Sequence, residues 1–595
     1  MSAPASRAGA WPIIRAYWVS PDSGPGWRLL MAVIALDLTL VWRAARITYW
    51  QKDFYDTLQK MDEAAFWPLL AMLVLLALTG LVLNTARTWL AQSLEMRWRA
   101  WMTDVYLKRW LAGSAFWRLE REQHPAGCSV ENVDQRLAED LRMLASDTLS
   151  LSLGLLSNFV SLFTFSAIVW SMSGVLSITL GGASFEVPGY MLWVALIYAA
   201  GGSWLMEKIG GRMVAIDYRQ QQAEADFRTA LMRIRESAEQ IALYGGGHAE
   251  HARLTALFDA VKHNWRDIMV YTKRITITDN AYTEAGALVP YVLQGPRVLK
   301  GIITMGDLIQ LTQSFMRVRV ALSWFIYKYK SLALLRSTLA RLAEFDAALQ
   351  AAEAASNHTQ DNAQDSAARV PHITRQSGSA TDGYTLQDVQ ALGPRGQALT
   401  PVVNWRIAPG ERWMLRGPSG AGKSTLLRAL AGLWTHGHGH IATPPETAEA
   451  PETATAPGAA AAPRAETLFV PQQSYLPIDT LRACLAYPAL ETAFSDDDCQ
   501  AALRWACLPA LTHRLHESAH WARQLSPGEQ QRLAFARIWL HRPRWLFLDE
   551  ATSALDEETE ERLYTRLTRD LPGLTLVSIA HRSSLRRFHE HEMQL

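Results

Sequence analysis

Hydrophobic residues are distributed very differently in the two parts of this 595-residue chain. Up to about Phe345 they form long, nearly uninterrupted runs. Beyond it they come in short bursts of four to eight, separated by polar turns, the spacing of a soluble α/β domain. A helix rises 1.5 Å per residue, so about 20 apolar residues cross the roughly 30 Å of a bilayer's hydrocarbon. Six stretches approach that length: Arg28 to Thr48, Phe66 to Leu90, Thr148 to Met172, Tyr190 to Met206, Ile275 to Leu293, and Leu308 to Leu334. The fifth and sixth are the least apolar. Between the second and third, apolar residues recur at helical spacing (Leu94, Trp98, Trp101, Val105, Leu107, Trp110), which predicts helices projecting well beyond the membrane. The segment Trp11 to Trp18 reads as a short amphipathic helix lying along the membrane face.

Basic residues orient the spans. Arg97, Arg99, Lys108, Arg109, Arg118, Arg121, Arg136 and Arg142 lie between spans two and three, and a still longer basic series, Lys208 to Arg274, lies between four and five. The alternate loops hold only Lys52, Lys60, Arg297 and Lys300. Both termini, and the soluble part, are therefore expected in the cytosol, and no secretory signal opens the chain. Cys128, Cys484, Cys499 and Cys507 form neither a CxxC pair nor a zinc spacing, consistent with reduced thiols. A net charge of +1 gives no footprint for nucleic acid, so none is expected as a partner. Many of the 23 tryptophans fall near the ends of the apolar runs, where an amphipathic ring suits the interface.

The chain divides accordingly into a cytosolic or interfacial segment (1–27), a six-span domain (28–345), a linker rich in Ala, Ser, Asn, Gln and Asp (346–379) and a soluble domain (380–595) carrying a low-complexity Ala/Pro/Thr/Glu insert (443–464). In the soluble domain, Gly417-Pro418-Ser419-Gly420-Ala421-Gly422-Lys423-Ser424-Thr425 fits GxxxxGK[ST] between an apolar strand end and a helix, so backbone N–H groups can wrap phosphates at a helix N-terminus. This is an ATP site in expectation, with Lys423 on the terminal phosphates and Ser424 on Mg²⁺. Downstream, Trp545-Leu546-Phe547-Leu548 ends in Asp549, a Mg²⁺ ligand candidate, and Glu550, a candidate to polarise the attacking water. Ser526-Pro527-Gly528-Glu529-Gln530 opens a further helix, a second anion site that is economically explained as serving the nucleotide of a second copy of the chain.

In that order, these motifs resemble an ATP-binding cassette (ABC) transporter. The resemblance assigns Ser526, Gly528, Glu529 and Gln530 to the signature motif that grips the partner's ATP, Gln472 to the Q-loop that senses Mg²⁺, and His581 to the switch histidine. Pro527 replaces a glycine of the usual signature, and no adenine-stacking aromatic is evident, with Leu392 near its place and Tyr384 too far upstream. Phe54 to Gln59, Asn132 to Arg136 and Glu236 to Gly246 resemble the SbmA/BacA-like (YddA-type) group and ABC subfamily D. What this implies is a multi-domain protein: a six-helix transmembrane domain of ABC exporter-like fold followed by an α/β P-loop NTPase. It would be a multi-pass half-transporter of a bacterial inner membrane, homodimeric, hydrolysing ATP to import hydrophilic solutes such as peptides or cobalamin. Export or lipid flipping, and an ATP-regulated channel or sensor, are the alternatives. Asp37, Asp279, Glu284, Arg317 and Arg319, ionisable groups within the spans, are the candidates for the translocation pathway.

Overall fold

The computed structural model describes residues 10–121, 132–180, 183–357, 372–377, 383–393, 396–444, 466–580 and 582–595. They form two compact units, one of Met1–Lys108 with Asn132–Ala347 and the other of Arg109–Glu131 with Ala348–Leu595.

The first unit holds a short helix α1 (Ala10–Val19) and six long ones, the last residues of the second and sixth of which are assigned to the other unit: α2 (Gly24–Lys60), α3 (Glu63–Leu111), α4 (Leu141–Ser173), α5 (Tyr190–Glu236), α6 (Gly247–Leu299) and α7 (Met305–Asn357). Each contains one of the six apolar runs, and at 33 to 53 residues each exceeds the bilayer requirement. By length and apolarity alone, Glu63–Glu120 and Val133–Ser173 suffice to cross a membrane. The long helices continue through the polar segments as predicted, α3 to Leu111 and α5 to Glu236. Phe165, Val169, Met191, Leu311, Phe315 and Val318 form the centre of one core, where α4, α5 and α7 meet. Another aromatic cluster seats α1, with Tyr17 packed on Trp98 and Trp101. Proline interrupts α3 at Pro68 and α6 at Pro290 and Pro296, whereas α7 runs 53 residues with none.

Two features depart from the sequence reading. The loop from Ser173 to Gly189 contains an antiparallel hairpin, β1 (Val175–Leu180) with β2 (Ala183–Pro188). The stretch expected as a linker from 346 is helical as far as Asn357, because alanine is the best helix former and Ala348, Leu349 and Ala352 are buried. A strand, β3 (Thr374–Ser377), also falls within that stretch. Of the insert, residues 445–464 lie outside the described residues, and the strand before it reaches Thr443.

Besides a short antiparallel pair, Asp479–Thr480 with Ser518–Ala519, the described residues of the second unit form two larger sheets. One comprises β3, β4 (Tyr384–Ala391), β5 (Val403–Ile407) and β7 (Gly437–Thr443), in the order β3-β7-β4-β5. The other is fully parallel: β11 (His591–Gln594), β6 (Arg412–Arg416), β10 (Thr575–Ile579), β9 (Trp545–Asp549) and β8 (Thr467–Val470), in that spatial order. A parallel strand covered on both faces is apolar along its length, and the first four residues of β9, Trp545 to Leu548, show it. Trp545 and Phe547 enter the core between the sheets, while Leu546 and Leu548 enter the core shared with helices such as α9 (Pro527–His541). The consequence is a rigid platform whose strand ends β6 and β9 lie one strand apart, separated by β10.

Candidate nucleotide site

The phosphate loop connects the end of β6 to α8 (Lys423–Leu430). Gly422 caps that helix at φ +86°, and a Cβ there would meet the Leu399 carbonyl oxygen at 2.2 Å, so glycine is required by conformation and by space. Lys423 is buried, its ammonium donating to the carbonyls of Gly417 and Pro418 at 2.8 and 2.9 Å, which holds the charge inside the loop. The Ser424 hydroxyl donates to Asp549 Oδ1 at 3.0 Å. Two groups 125 residues apart in sequence thus meet at one point. Both are oxygen donors of the kind a hard divalent cation takes, so the pair fits Mg²⁺. Burial holds the Asp549 carboxyl above its ordinary range; the adjacent Glu550 charge adds to this and the Ser424 hydroxyl opposes it. A cation there would remove that penalty.

Glu550 follows at φ +50°, a left-handed backbone at the point where the chain leaves the strand. Its Oε2 accepts from Gln472 Nε2 at 3.0 Å. The residue predicted to polarise water and the one predicted to sense the metal are therefore in contact.

Ser526 caps α9 with a complete capping box: its hydroxyl accepts from the Glu529 amide, and Glu529 accepts from the Ser526 amide and hydroxyl at 2.9 and 2.8 Å. Those donors, the backbone amide first, pull the Glu529 carboxyl below its usual range. Pro527 sits at the first helical position, whose N–H has no helical partner in any case, so the replacement of glycine removes little. A Cβ on Gly528 would stand 3.2 Å from the Ala554 carbonyl oxygen, a close approach to the segment after Glu550.

Comparison with known proteins bears on the same residues. Residues 13–299 match the family model described as ABC transporter transmembrane region 2, and residues 401–553 the one described as ABC transporter. The chain is 30% identical over 96% of its length to the inner membrane ABC transporter ATP-binding protein YddA of Escherichia coli K12, covering 94% of that protein. The chain belongs to the ABC transporter family. This ABC transporter is also 25% identical to the human lysosomal cobalamin transporter ABCD4, over 96% of this chain and 92% of that one. Its fold is similar to that of a bacterial Atm1-family ABC exporter with ATP bound, with a TM-score of 0.64 and 18% identity, covering 96% and 93% of the two chains. The architecture is thus an exporter-like transmembrane domain followed by an ATP-binding cassette.

Within the transporter, several predicted residues take structural tasks. Glu529 is the partner of the cap, and Gln530 donates to the carbonyls of Ala522 and Leu525, both at 2.9 Å, bracing the turn before α9. His581 lies outside the described residues; its neighbour Arg582 pairs with buried Glu560 at 3.2 Å on α10 (Glu557–Asp570). Tyr384 is a core residue, packed edge-on against Trp545 and Phe547, so it does not stack adenine. Leu392 bridges to Ala398 and is nearly buried. Sequence reasoning missed Gln531, which donates to Ser553 and accepts from the Ala554 amide, tying α9 to the turn beyond Glu550. It also missed Arg537, buried and donating to the carbonyls of Cys484 and Tyr475. Nothing in an amphipathic helix pattern marks such an arginine in advance.

Among the described residues no ion pair joins two of the five ionisable candidates in the spans. Asp37 on α2 accepts from Arg87 on α3 at 2.8 Å, an ion pair of a buried carboxylate with a half-buried arginine that joins two helices. Arg317 is exposed and lies over Phe165. Arg319, two residues on, leaves α7 about 200° away around the helix and is buried. Glu284 is exposed and Asp279 half-buried.

Proposed function

We propose that two copies of this chain close over two ATP molecules and use hydrolysis to move hydrophilic solutes, such as peptides or cobalamin-like compounds, into the cell across an inner membrane. The observation that carries the ATPase part is the meeting of Ser424 with Asp549 and of Gln472 with Glu550 at the ends of two parallel strands. Lys423 and the loop amides bind the phosphates, Ser424, Asp549 and Gln472 would hold Mg²⁺, which neutralises phosphate charge when bound, Glu550 orients the water, and His581 is assigned to assist hydrolysis by the family resemblance alone. Ser526 and Gly528, at the N-terminus of α9, serve the second copy's γ-phosphate.

Two uncovered apolar surfaces support assembly. Leu243 and Tyr244, just past α5, are 81% and 90% exposed, and on the cassette Tyr475, Ile478, Tyr487 and Leu490 are exposed as well. One transmembrane region and one cassette per chain supply half of a working pair. Import rests on the SbmA/BacA-like resemblance and on the cobalamin transporter among the relatives. The exporter fold favours a second reading, export or lipid flipping. Uptake of labelled cobalamin and of a proline-rich peptide into cells lacking their own carriers, compared between the native chain and Glu550→Gln, separates the two. Uptake that vanishes in the variant supports import; Glu550-dependent ATPase activity without uptake supports the other direction.

A further inference from the structure

Among the described residues, Arg319 is a buried cation of the spans without a counter-charge. Arg319 lies 14 residues beyond the start of α7, about 21 Å along the helix axis and inside the apolar run 308–334. Only 6% of it is exposed. No carboxylate pairs with it among the described residues; its one hydrogen bond is a 3.3 Å contact from Nη1 to Thr283 Oγ1 on α6. Its guanidinium lies 5.0 Å from the Tyr282 ring centre, and that ring stacks on Tyr198 of α5 at 4.7 Å and 11°. The Tyr198 hydroxyl is tied to the Tyr282 carbonyl, but Arg319 Nε, the Tyr282 hydroxyl and the hydroxyl of Ser323, one turn along α7, are all buried without partners.

A merely structural arginine would be expected to meet a carboxylate, as Arg87 meets Asp37. Here the surroundings instead make room for donors. A Cβ on Gly202 would fall 2.1 Å from the Tyr282 ring, and one on Gly286 would crowd Tyr198 and the Arg319 side chain at 3.0 and 3.3 Å. Three helices thus leave a cation and orphan hydroxyls with acceptors missing, and an oxyanion supplies what is missing: a charge to pair with the guanidinium and lone pairs for the hydroxyls.

We infer that Arg319, with Tyr282 and Ser323, is the subsite that recognises an anionic group of the transported solute, a carboxylate or phosphate, within the membrane span. This deepens the proposed transport function and rests on it. On binding, the guanidinium exchanges its long contact with Thr283 for a paired contact with the oxyanion, and solutes without an acid group bind more weakly.

The test uses the full-length chain in nanodiscs of zwitterionic lipid. The probes are a fluorescently labelled tripeptide with a free C-terminal carboxylate and the same peptide as its amide. The acid form is expected to bind about tenfold or more tightly, the effect of one charge-assisted pair. Arg319→Gln should abolish that preference while Arg319→Lys keeps part of it. If Arg319→Gln does not fold, Tyr282→Phe carries the test, weakening the acid severalfold and leaving the amide unchanged. Equal binding of acid and amide, binding of neither, or a preference that survives Arg319→Gln overturns the inference. Displacement of the acid peptide by added phosphatidylglycerol assigns the site to a lipid headgroup and overturns the solute assignment. Failure of the transport reading itself would show separately, as a native chain whose ATPase activity does not depend on Glu550.

Discussion

Ser526 has two tasks in the proposed cycle, and replacing it with alanine separates them. As the cap of α9 it accepts from the Glu529 amide at 3.3 Å, and losing such a cap costs about 1 kcal/mol of local stability. In a domain of this size that lowers the cassette's melting temperature by about 2–4 °C. If the hydroxyl also bonds the partner's γ-phosphate, each site loses a hydrogen bond to a charged group, about 1.5–3 kcal/mol. Two symmetric sites make that about 3–6 kcal/mol, or roughly 10² to 10⁴ in the closure equilibrium. Glu529→Gln is the comparison, since the contacts the structure gives Glu529 are those of the capping box. The assay places each change in the Glu550→Gln background, which holds ATP without turnover, and follows closure of the full-length dimer by energy transfer between labelled cassettes as ATP is raised. Because two ATP molecules enter each closure, Ser526→Ala should need about tenfold to a hundredfold more ATP, Glu529→Gln no more than a few-fold. Equal shifts for the two, with equal melting temperatures, would refute the assignment of Ser526 to the nucleotide.

Other outcomes follow from buried polar groups. Asp140 is fully buried and accepts from Arg341 at 2.5 and 2.8 Å and from Arg136 at 3.1 Å, joining the start of α4 to α7; Asp140→Asn should cost about 3–5 kcal/mol, read as a large fall in the thermal transition of the membrane unit. His541, buried at the end of α9, is held below its usual pKa by burial, so the fold binds fewer protons there than the unfolded chain. Its contribution is therefore complete above about pH 6.5 and shrinks as the pH falls below that. His541→Gln should flatten the melting temperature of the cassette between pH 7 and 5, and an unchanged slope would count against it. Burial pushes the Cys484 and Cys499 thiols up to about 11, so in a chain carrying Cys128→Ser and Cys507→Ser neither should react with a thiol reagent at pH 7.5 until the cassette is unfolded.

What could be read from the sequence was local. The phosphate loop is a contiguous pattern whose glycine at 422 answers a backbone demand, and the apolar runs declare their helices by length. The long-range pairs were invisible: Gln472 and Glu550 are 78 residues apart, Asp37 and Arg87 50, Asp140 and Arg341 201. No periodicity encodes such meetings. Asp37 is an example, since an acid within a span gives no sign of the arginine it meets on the next helix. Composition also misjudged the stretch after Phe345, because an alanine-rich sequence serves a helix as readily as a tether, and buried Leu349 decides for the helix.

The continuity of α7 has a mechanical meaning. Its 53 residues make a rod of about 80 Å with no internal proline and a single glycine, Gly306, in the first turn. A bend therefore has no preferred place along it, and a displacement at one end reaches the other as tilt or twist of the whole shaft. By contrast, α5 carries Gly201, Gly202, Gly210 and Gly211 within three turns, and is the compliant member of the set. Stiffness in one helix and compliance in another give the bundle a lever and a spring.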